Sequence, residues 1–435
     1  MSSRIRYTVI LLVMLLVAAA CVLPAITAPP ADSVILFIGD GFGPGHVAMA
    51  HGALGRPLAL ERAPFSGTAV TTSLGGGVTD SAAAGTALAT GHKTKNGMVA
   101  VSPEGERLKS LVELCRENGK AVAVITTDAL WGATPASFLS HAASRRERSD
   151  IALQIAQSRA EVLLGHGSSE MLPASAGGGR ADEKDLVAEL RGAGYEVVRD
   201  RYELLTAQGQ RLIGLFDDER QEPRVRDMVT AALSRVGADT DGLFMMVEHS
   251  GLDGDPGDPA ACLADLRELD EAVAAATDYA AARGRLLVVV TGDHDSGGLV
   301  VEYPERLPAL LKIGESAEDV APRLAEDRAN IVAVMSEFVG VTDLTPAELE
   351  AIKTAEDAEA AIGAVVSARV GVKWTGRGHT ATPVPVFAFG PGADAFTGAM
   401  DNTDIAKRIA ATLGLESASE PAQVGAAAVP ASAIR

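Results

Sequence analysis

The sequence predicts an α/β fold, with a doubly wound, mostly parallel central sheet and helices on both faces. Short β-branched runs recur at Val34–Ile38, Ala121–Ile125, Leu243–Val247, Leu286–Val290 and Val384–Phe389. Segments with apolar residues at helical spacing lie between them, as at Glu104–Asn118 and Pro259–Ala282. Alternation of this kind implies a largely parallel sheet covered on both faces. Each run ends in glycine or polar residues, and ligands of such sheets bind beyond the carboxyl ends of the strands.

Composition narrows the class of function. A chain of 435 residues allows one large α/β domain or two smaller ones. Hydrophobic residues at 47% exclude a disordered protein. The 38 basic and 57 acidic residues give a net charge of −19, which excludes nucleic acid as an electrostatically held partner. Aromatic residues at 4% argue against stacking platforms for bases or sugars. An anion site on so acidic a protein must supply its own local positive charge.

Residues 1–28 read as an export signal, with Arg4 and Arg6 ahead of an apolar run from Tyr7 to Val22. Cleavage after Ala28 competes with a lipoprotein-type site before Cys21, behind Ala18-Ala19-Ala20. An uncleaved anchor is the third reading, because the run approaches the length of a spanning helix. The expected location is therefore the periplasm or cell surface, with no membrane contact beyond a lipid anchor on Cys21. The folded domain is placed at 32–415. Cys115 and Cys262 continue apolar helical stripes and read as buried thiols, not a disulfide. Residues 302–369 break the alternation. They are charged and helical, with Pro346 at a helix start, and read as an insertion between two site strands. Residues 416–435, rich in Ala, Ser and Pro, read as a loose tail.

The chemistry gathers at the strand ends. Gly39-Asp40-Gly41 follows the first run, Glu248 the third with Asp253 five residues on, and Asp293-His294 the fourth. His379 precedes the run at Val384. Asp40 as a turn former, Asp253 in a solvated turn and Asp293 as a helix cap are adequate readings one at a time. Together at one sheet edge, such acids repel one another unless cations lie between them, so metal binding is the better reading. Mixed Asp/Glu/His ligation suits zinc, and oxygen-only ligation suits magnesium. Ser81, in Thr79-Asp80-Ser81-Ala82-Ala83, is the candidate nucleophile. Asp80 and Ser81 also suit the cap of a helix over Ala82–Ala89, a role compatible with nucleophilicity, since a helix N-terminus favours an alkoxide and a bound phosphate. No Gly-x-Ser-x-Gly surrounds it, which disfavours a Ser-His-Asp hydrolase.

These residues in this order resemble the alkaline phosphatase family, metal-dependent phosphomonoesterases that work through a phosphoserine. The resemblance runs from about Val34 to Ile409. It includes Thr134-Pro135-Ala136 with Arg145 eleven residues after Thr134, and Gly378-His379-Thr380. It implies an alkaline phosphatase-like fold in which Ser81 attacks phosphorus. Asp40, Asp293 and His294 would hold the zinc that activates Ser81, with Ser81 itself a ligand. Asp253 and His379 would belong to a second zinc, and Asp40, Thr134 and Glu248 would hold magnesium. Arg145 would clamp two phosphate oxygens; its bland alternative is a solvated charge beside Arg146, Glu147 and Arg148. The resemblance also implies small phosphate-ester substrates and a homodimer.

Two departures bear on the metals. Where the family has a His four residues after its counterpart of Asp253, this chain has Gly257, and no His lies between His249 and His294. Asp255, Asp258 or His249 are the candidate substitutes, or the site is under-coordinated. Where the family has Asp or His two residues before its Thr, this chain has Gly132. The expected function is an exported hydrolase of phosphate monoesters. Its rivals are a degenerate phosphate-binding homologue without a full metal set and a phosphodiester or sulfate-ester hydrolase on the same core.

Overall fold

All seven residues of strand β1 (Ser33–Gly39) are buried, and alternate side chains feed two different cores. Ile35 and Phe37 join the apolar cluster on one face, and Val34, Leu36 and Ile38 the cluster on the other. The structure, a computed structural model, describes residues 30–216, 223–254 and 256–415. The export signal with Cys21, residue Asp255 and the tail at 416–435 lie outside the described residues.

The sheet continues through β2 (Phe65–Val70), β3 (Ala121–Ala129), β4 (Val162–His166) and β5 (Glu196–Val198). It includes β6 (Leu212–Leu215), β7 (Leu243–His249) and β8 (Leu286–Gly292). Four short strands follow: β9 (Asp295–Ser296), β10 (Leu299–Val301), β11 (Val372–Trp374) and β12 (His379–Thr380). The last two are β13 (Val384–Phe389) and β14 (Gly398–Asp401). Ten of these form one sheet in the order β14-β2-β13-β8-β1-β7-β3-β4-β6-β5. Within it only β13 runs against the others, antiparallel to both β8 and β2. The short strands pair outside it, β10 with β11 and β9 with β12.

The five apolar runs of the sequence are β1, β3, β7, β8 and β13. The helix expected over Glu104–Asn118 is shorter, at Leu111–Glu117. Its start is set by a capping box, in which the Ser110 hydroxyl accepts from Glu113 N and the Glu113 carboxylate accepts from Ser110 N. Upstream, Gly105 takes φ +87° in a turn whose flanks bridge Val101 to Arg107, so the chain there is not helical. The long helix is Pro259–Arg283, capped by Asp258. Cys115 and Cys262 are both buried and form no disulfide.

The stretch between β10 and β11 is a series of short helices, among them Pro346–Thr354 with Thr345 and Glu348 forming a capping box. Its Leu307, Leu310, Ile352 and Ile362 join the same apolar cluster as Ile35 and Phe37. The segment therefore closes one face of the sheet as part of a shared core. Among the described residues no helix is long and apolar enough to cross a membrane.

Candidate functional site

The parallel register brings three acidic residues to one edge. Gly39 of β1 lies opposite His249 of β7 on one side and Gly292 of β8 on the other. Asp40 and Asp293 thus leave two adjoining strands at the same level, and Glu248, paired with Ile38, sits at the penultimate position of β7 just below them. Gly41 makes the turn after β1 possible: its φ is +80°, and a Cβ there would lie 2.8 Å from the backbone nitrogen of Asp253. The Gly41 N–H donates to Asp293 Oδ1 at 3.1 Å.

His379 reaches the same edge because β13 is reversed. Residues that precede an antiparallel strand meet residues that follow its parallel neighbours. The short β9–β12 ladder then sets His379 opposite Ser296, two residues beyond His294. The rings of His294 and His379 stack with centroids 3.5 Å apart.

Around the fully buried His294, Asp40 Oδ1 and Asp293 Oδ2 each lie 3.3 Å from Nε2. Ser81 Oγ lies 3.4 Å from the same nitrogen. Both carboxylate oxygens are buried without a hydrogen bond. Ligands about 2.0–2.1 Å from a tetrahedral ion stand roughly 3.3 Å from each other. Asp40, Asp293, His294 and Ser81 therefore fit the nitrogen–oxygen donor set of zinc. A second group, Asp253, His294 and His379, also places three ligand atoms within 4.8 Å of one another. There His379 Nε2 lies 3.2 Å from Asp253 Oδ1. His379 Nδ1 sits 2.9 Å from the Thr79 carbonyl, to which it donates, leaving Nε2 toward the site. The Ser296 hydroxyl donates to Asp253 Oδ1.

Electrostatics expresses the same demand for cations. Burial and the carboxylates of Asp293, Asp253 and Glu248 raise the Asp40 pKa well above its ordinary value. Burial raises Asp293 as well. Burial, and then the charge of Asp128, push Glu248 up to about 8. Burial opposes ionisation of Asp253, but the His379 hydrogen bond and the charge of His294 outweigh it and bring the carboxyl to about 2. The same hydrogen bond lifts His379 to about 9. A proton between His379 and Asp253 thus stands where a cation would neutralise the pair.

A third group offers oxygen only. The Thr126 hydroxyl donates to Glu248 Oε2 across the β3–β7 pairing. Thr134 Oγ1, 1% exposed, faces the Glu248 carboxylate and helps hold its charge, but falls short of a hydrogen bond in geometry. Close packing of the Ser81–Thr90 helix on the Ala133–Leu139 helix sets Thr134 here: a Cβ on Gly85 would lie 3.3 Å from Thr134 Cα. With Asp40, these groups suit magnesium.

Ser81 opens the helix Ser81–Thr90, and Asp80 is the cap, its Oδ1 accepting from Ala83 N at 3.0 Å. The other carboxylate oxygen of Asp80 accepts from Gly97 N at 3.0 Å and lies 3.4 Å from Arg145 Nη1. Arg145 sits in a loop ahead of the helix Arg148–Gln157, anchored by its N–H to the Gly97 carbonyl at 2.7 Å. The Asp80–Arg145 pair, Thr126, Ser296 and the Thr79 carbonyl escaped sequence reading. Only Asp80, adjacent to Ser81, carried a signal there, and it was that of a cap.

Two substitutes for the missing histidine are placed elsewhere. Neighbours along a strand point to opposite faces, so Glu248 faces the metal groups and His249 the other side. There the His249 ring nitrogen accepts from Gly251 N at 3.3 Å, and its Nε2 lies 4.0 Å from Asp265. Asp258 caps the helix Pro259–Arg283, accepting from Ala260 N at 2.9 Å and Ala261 N at 3.3 Å, and it also accepts from Ala317 N. Gly257 itself takes φ +111°, where a side chain is strained. Asp258→Ala is therefore expected to lower stability by about 1–2 kcal/mol in denaturant unfolding while leaving the metal content unchanged. Loss of one ion in that variant would make Asp258 a ligand after all.

Residues 31–415 match the family model described as alkaline phosphatase. The chain is 32% identical to alkaline phosphatase 3 of Bacillus subtilis over 362 residues, which cover 76% of each protein. It is 30% identical to streptomycin-6-phosphate phosphatase of Streptomyces griseus, covering 89% of this chain and 91% of that one. The solved alkaline phosphatase of Thermus thermophilus aligns with a TM-score of 0.78 at 30% identity, covering 90% of this chain and 93% of the other. The cold-active enzyme of a Shewanella species aligns with a TM-score of 0.77 at 28% identity, covering 88% and 99%.

Proposed function

Because the chain belongs to the alkaline phosphatase family, and so is a hydrolase of phosphate monoesters, we propose that it acts through a phosphoserine at Ser81. Asp40, Asp293 and His294 would hold one zinc, Asp253 and His379 a second, and Asp40, Thr134 and Glu248 magnesium. The observation that carries this reading is the position of Ser81 Oγ, 3.4 Å from His294 Nε2 in the shell that Asp40 and Asp293 complete. The charged leader with Arg4 and Arg6 ahead of its apolar run supports action outside the cytoplasm.

Bound there, the ions supply Lewis acidity that eases ionisation of the hydroxyl and of water and neutralises phosphate oxygens. Ser81 Oγ, its proton given up to solvent, forms a bond to phosphorus as the ester oxygen leaves with its electron pair and takes up a proton from water. Water then attacks the phosphoserine, the P–Oγ bond breaks, and phosphate is released with Ser81 restored. Ser81 opens the Ser81–Thr90 helix, so a phosphoryl group on its Oγ would stand at the end of the helix where the dipole favours negative charge. Arg145, held by Asp80 and the Gly97 carbonyl, presents its planar fork to two phosphate oxygens.

Arg145→Ala is expected to weaken phosphate inhibition roughly tenfold, about 1.5 kcal/mol, the lower end of the range for a charge-assisted contact because the side chain is 40% exposed. An unchanged inhibition constant would leave Arg145 a surface charge. Turnover of a chromogenic phosphate monoester, with metal content measured on the same sample, tests the whole reading. Turnover that scales with bound metal supports it, and phosphate binding without turnover points to the degenerate homologue.

A further inference from the structure

The end of β3 carries a carboxylate, that of Asp128, which no step above uses. Asp128 has no hydrogen-bond or ion-pair partner for its carboxylate among the described residues, while its N–H donates to Thr126 Oγ1 at 2.9 Å. That hydroxyl is the one that donates to Glu248. A Cβ added at Gly132 would lie 2.6 Å from Asp128 Oδ2, so the carboxylate occupies the space a side chain at 132 would fill. Gly132 also caps the helix that carries Thr134. Of the charges around Glu248, that of Asp128 acts on it most strongly.

We propose that Asp128 belongs to the magnesium site, holding the ion's water shell from the position that Gly132 leaves open. The inference rests on the proposed site at Asp40, Thr134 and Glu248. The charge of Asp128 opposes ionisation of Glu248, and a dication between the two carboxylates would relieve that repulsion. The buried Thr134 hydroxyl without a hydrogen bond supplies an independent sign of a ligand. Magnesium keeps several waters in protein sites, and an exposed carboxylate at the rim is placed to accept from them. No structural hydrogen bond competes for that carboxylate, so its retention beside Glu248 is otherwise a repulsive arrangement.

Calorimetric titration of the zinc-loaded full chain with Mg2+ alone tests this, beside metal analysis and thermal unfolding. Asp128→Asn is expected to weaken Mg2+ binding roughly ten- to hundredfold, as loss of outer-shell partners does, with zinc content and ion-free unfolding unchanged. Asp128→Glu should recover part of the affinity. Glu248→Gln should abolish the Mg2+ heat. If Asp128→Asn binds Mg2+ like the parent while Glu248→Gln does not, Asp128 is a solvated residue at the end of β3 and the inference fails with the site intact. If Glu248→Gln also binds normally, the site itself is misplaced and the inference falls with it. Loss of zinc and magnesium together in Asp128→Asn would mark a structural role and overturn it equally.

Discussion

Ser81→Ala is expected to hydrolyse a phosphate monoester at least about a thousandfold more slowly than the parent protein, because the covalent route has lost its nucleophile. Activity does not fall to the uncatalysed level. In the proposed mechanism Arg145 and the N-terminus of the Ser81–Thr90 helix would still bind the phosphoryl group, and direct attack by water on the ester would remain open. The substitution removes one oxygen from a helix whose cap is Asp80, so folding and metal content should stay near those of the parent. Steady-state kinetics with metal analysis on one preparation checks both halves. A variant that keeps more than about a tenth of parental kcat has not lost its nucleophile, and Ser81 would then be only the first residue of a buried helix.

Dialysis against a chelator is expected to abolish turnover, with the ion at Asp253 and His379 leaving well before the one at Asp40, Asp293 and His294. The order follows from burial. The side chains of Asp253 and His379 are 32% and 25% exposed, whereas those of Asp293 and His294 are fully buried. It follows also from competition with protons. His379 is lifted to about 9 by its hydrogen bond to Asp253, and a histidine must give up that proton to bind a metal. Below pH 9 each unit of acidification should therefore weaken loading of that site about tenfold, and raising the pH toward 9 should restore it. Metal content after dialysis at pH 7 and at pH 9 gives the answer. Equal loss from both sites, or loss independent of pH, would contradict the assignment of His379.

Much of the site was legible because the chemistry sits where apolar runs stop. Asp40, Glu248 and Asp293 each end a run whose residues are buried on both faces, and a polar residue at that position has few structural uses. His379 is legible by its place just before the Val384 run, but the reason it meets Asp253 and His294 is not. That reason is the reversal of β13, which hydrophobicity alone does not encode. Strands such as β2 and β6 escaped notice because Phe65–Val70 is half exposed and Leu212–Leu215 spans only four residues with a glycine inside. The His249 and Asp258 alternatives fail for local reasons a sequence states only ambiguously. His249 has the wrong strand parity, and Asp258 before Pro259 is a helix cap. The apolar spacing over Glu104–Asn118 predicts a longer helix than the Leu111–Glu117 observed, because the cap at Ser110 and the turn at Gly105 make it start late. Contacts made across the sheet, such as Thr126 with Glu248 and Asp80 with Arg145, depend on distances between segments far apart in the chain.

The central claim is that phosphate passes through Ser81, and acid quenching tests it most directly. Metal-replete protein mixed with a phosphate monoester labelled in the phosphoryl group, and quenched within the first turnover, should carry label on the peptide that begins at the Asp80–Ser81 cap. Ser81→Ala should carry none. Label on any other residue, or a full turnover of product with no label on the protein at any quench time, would contradict the phosphoserine route and leave water as the direct nucleophile.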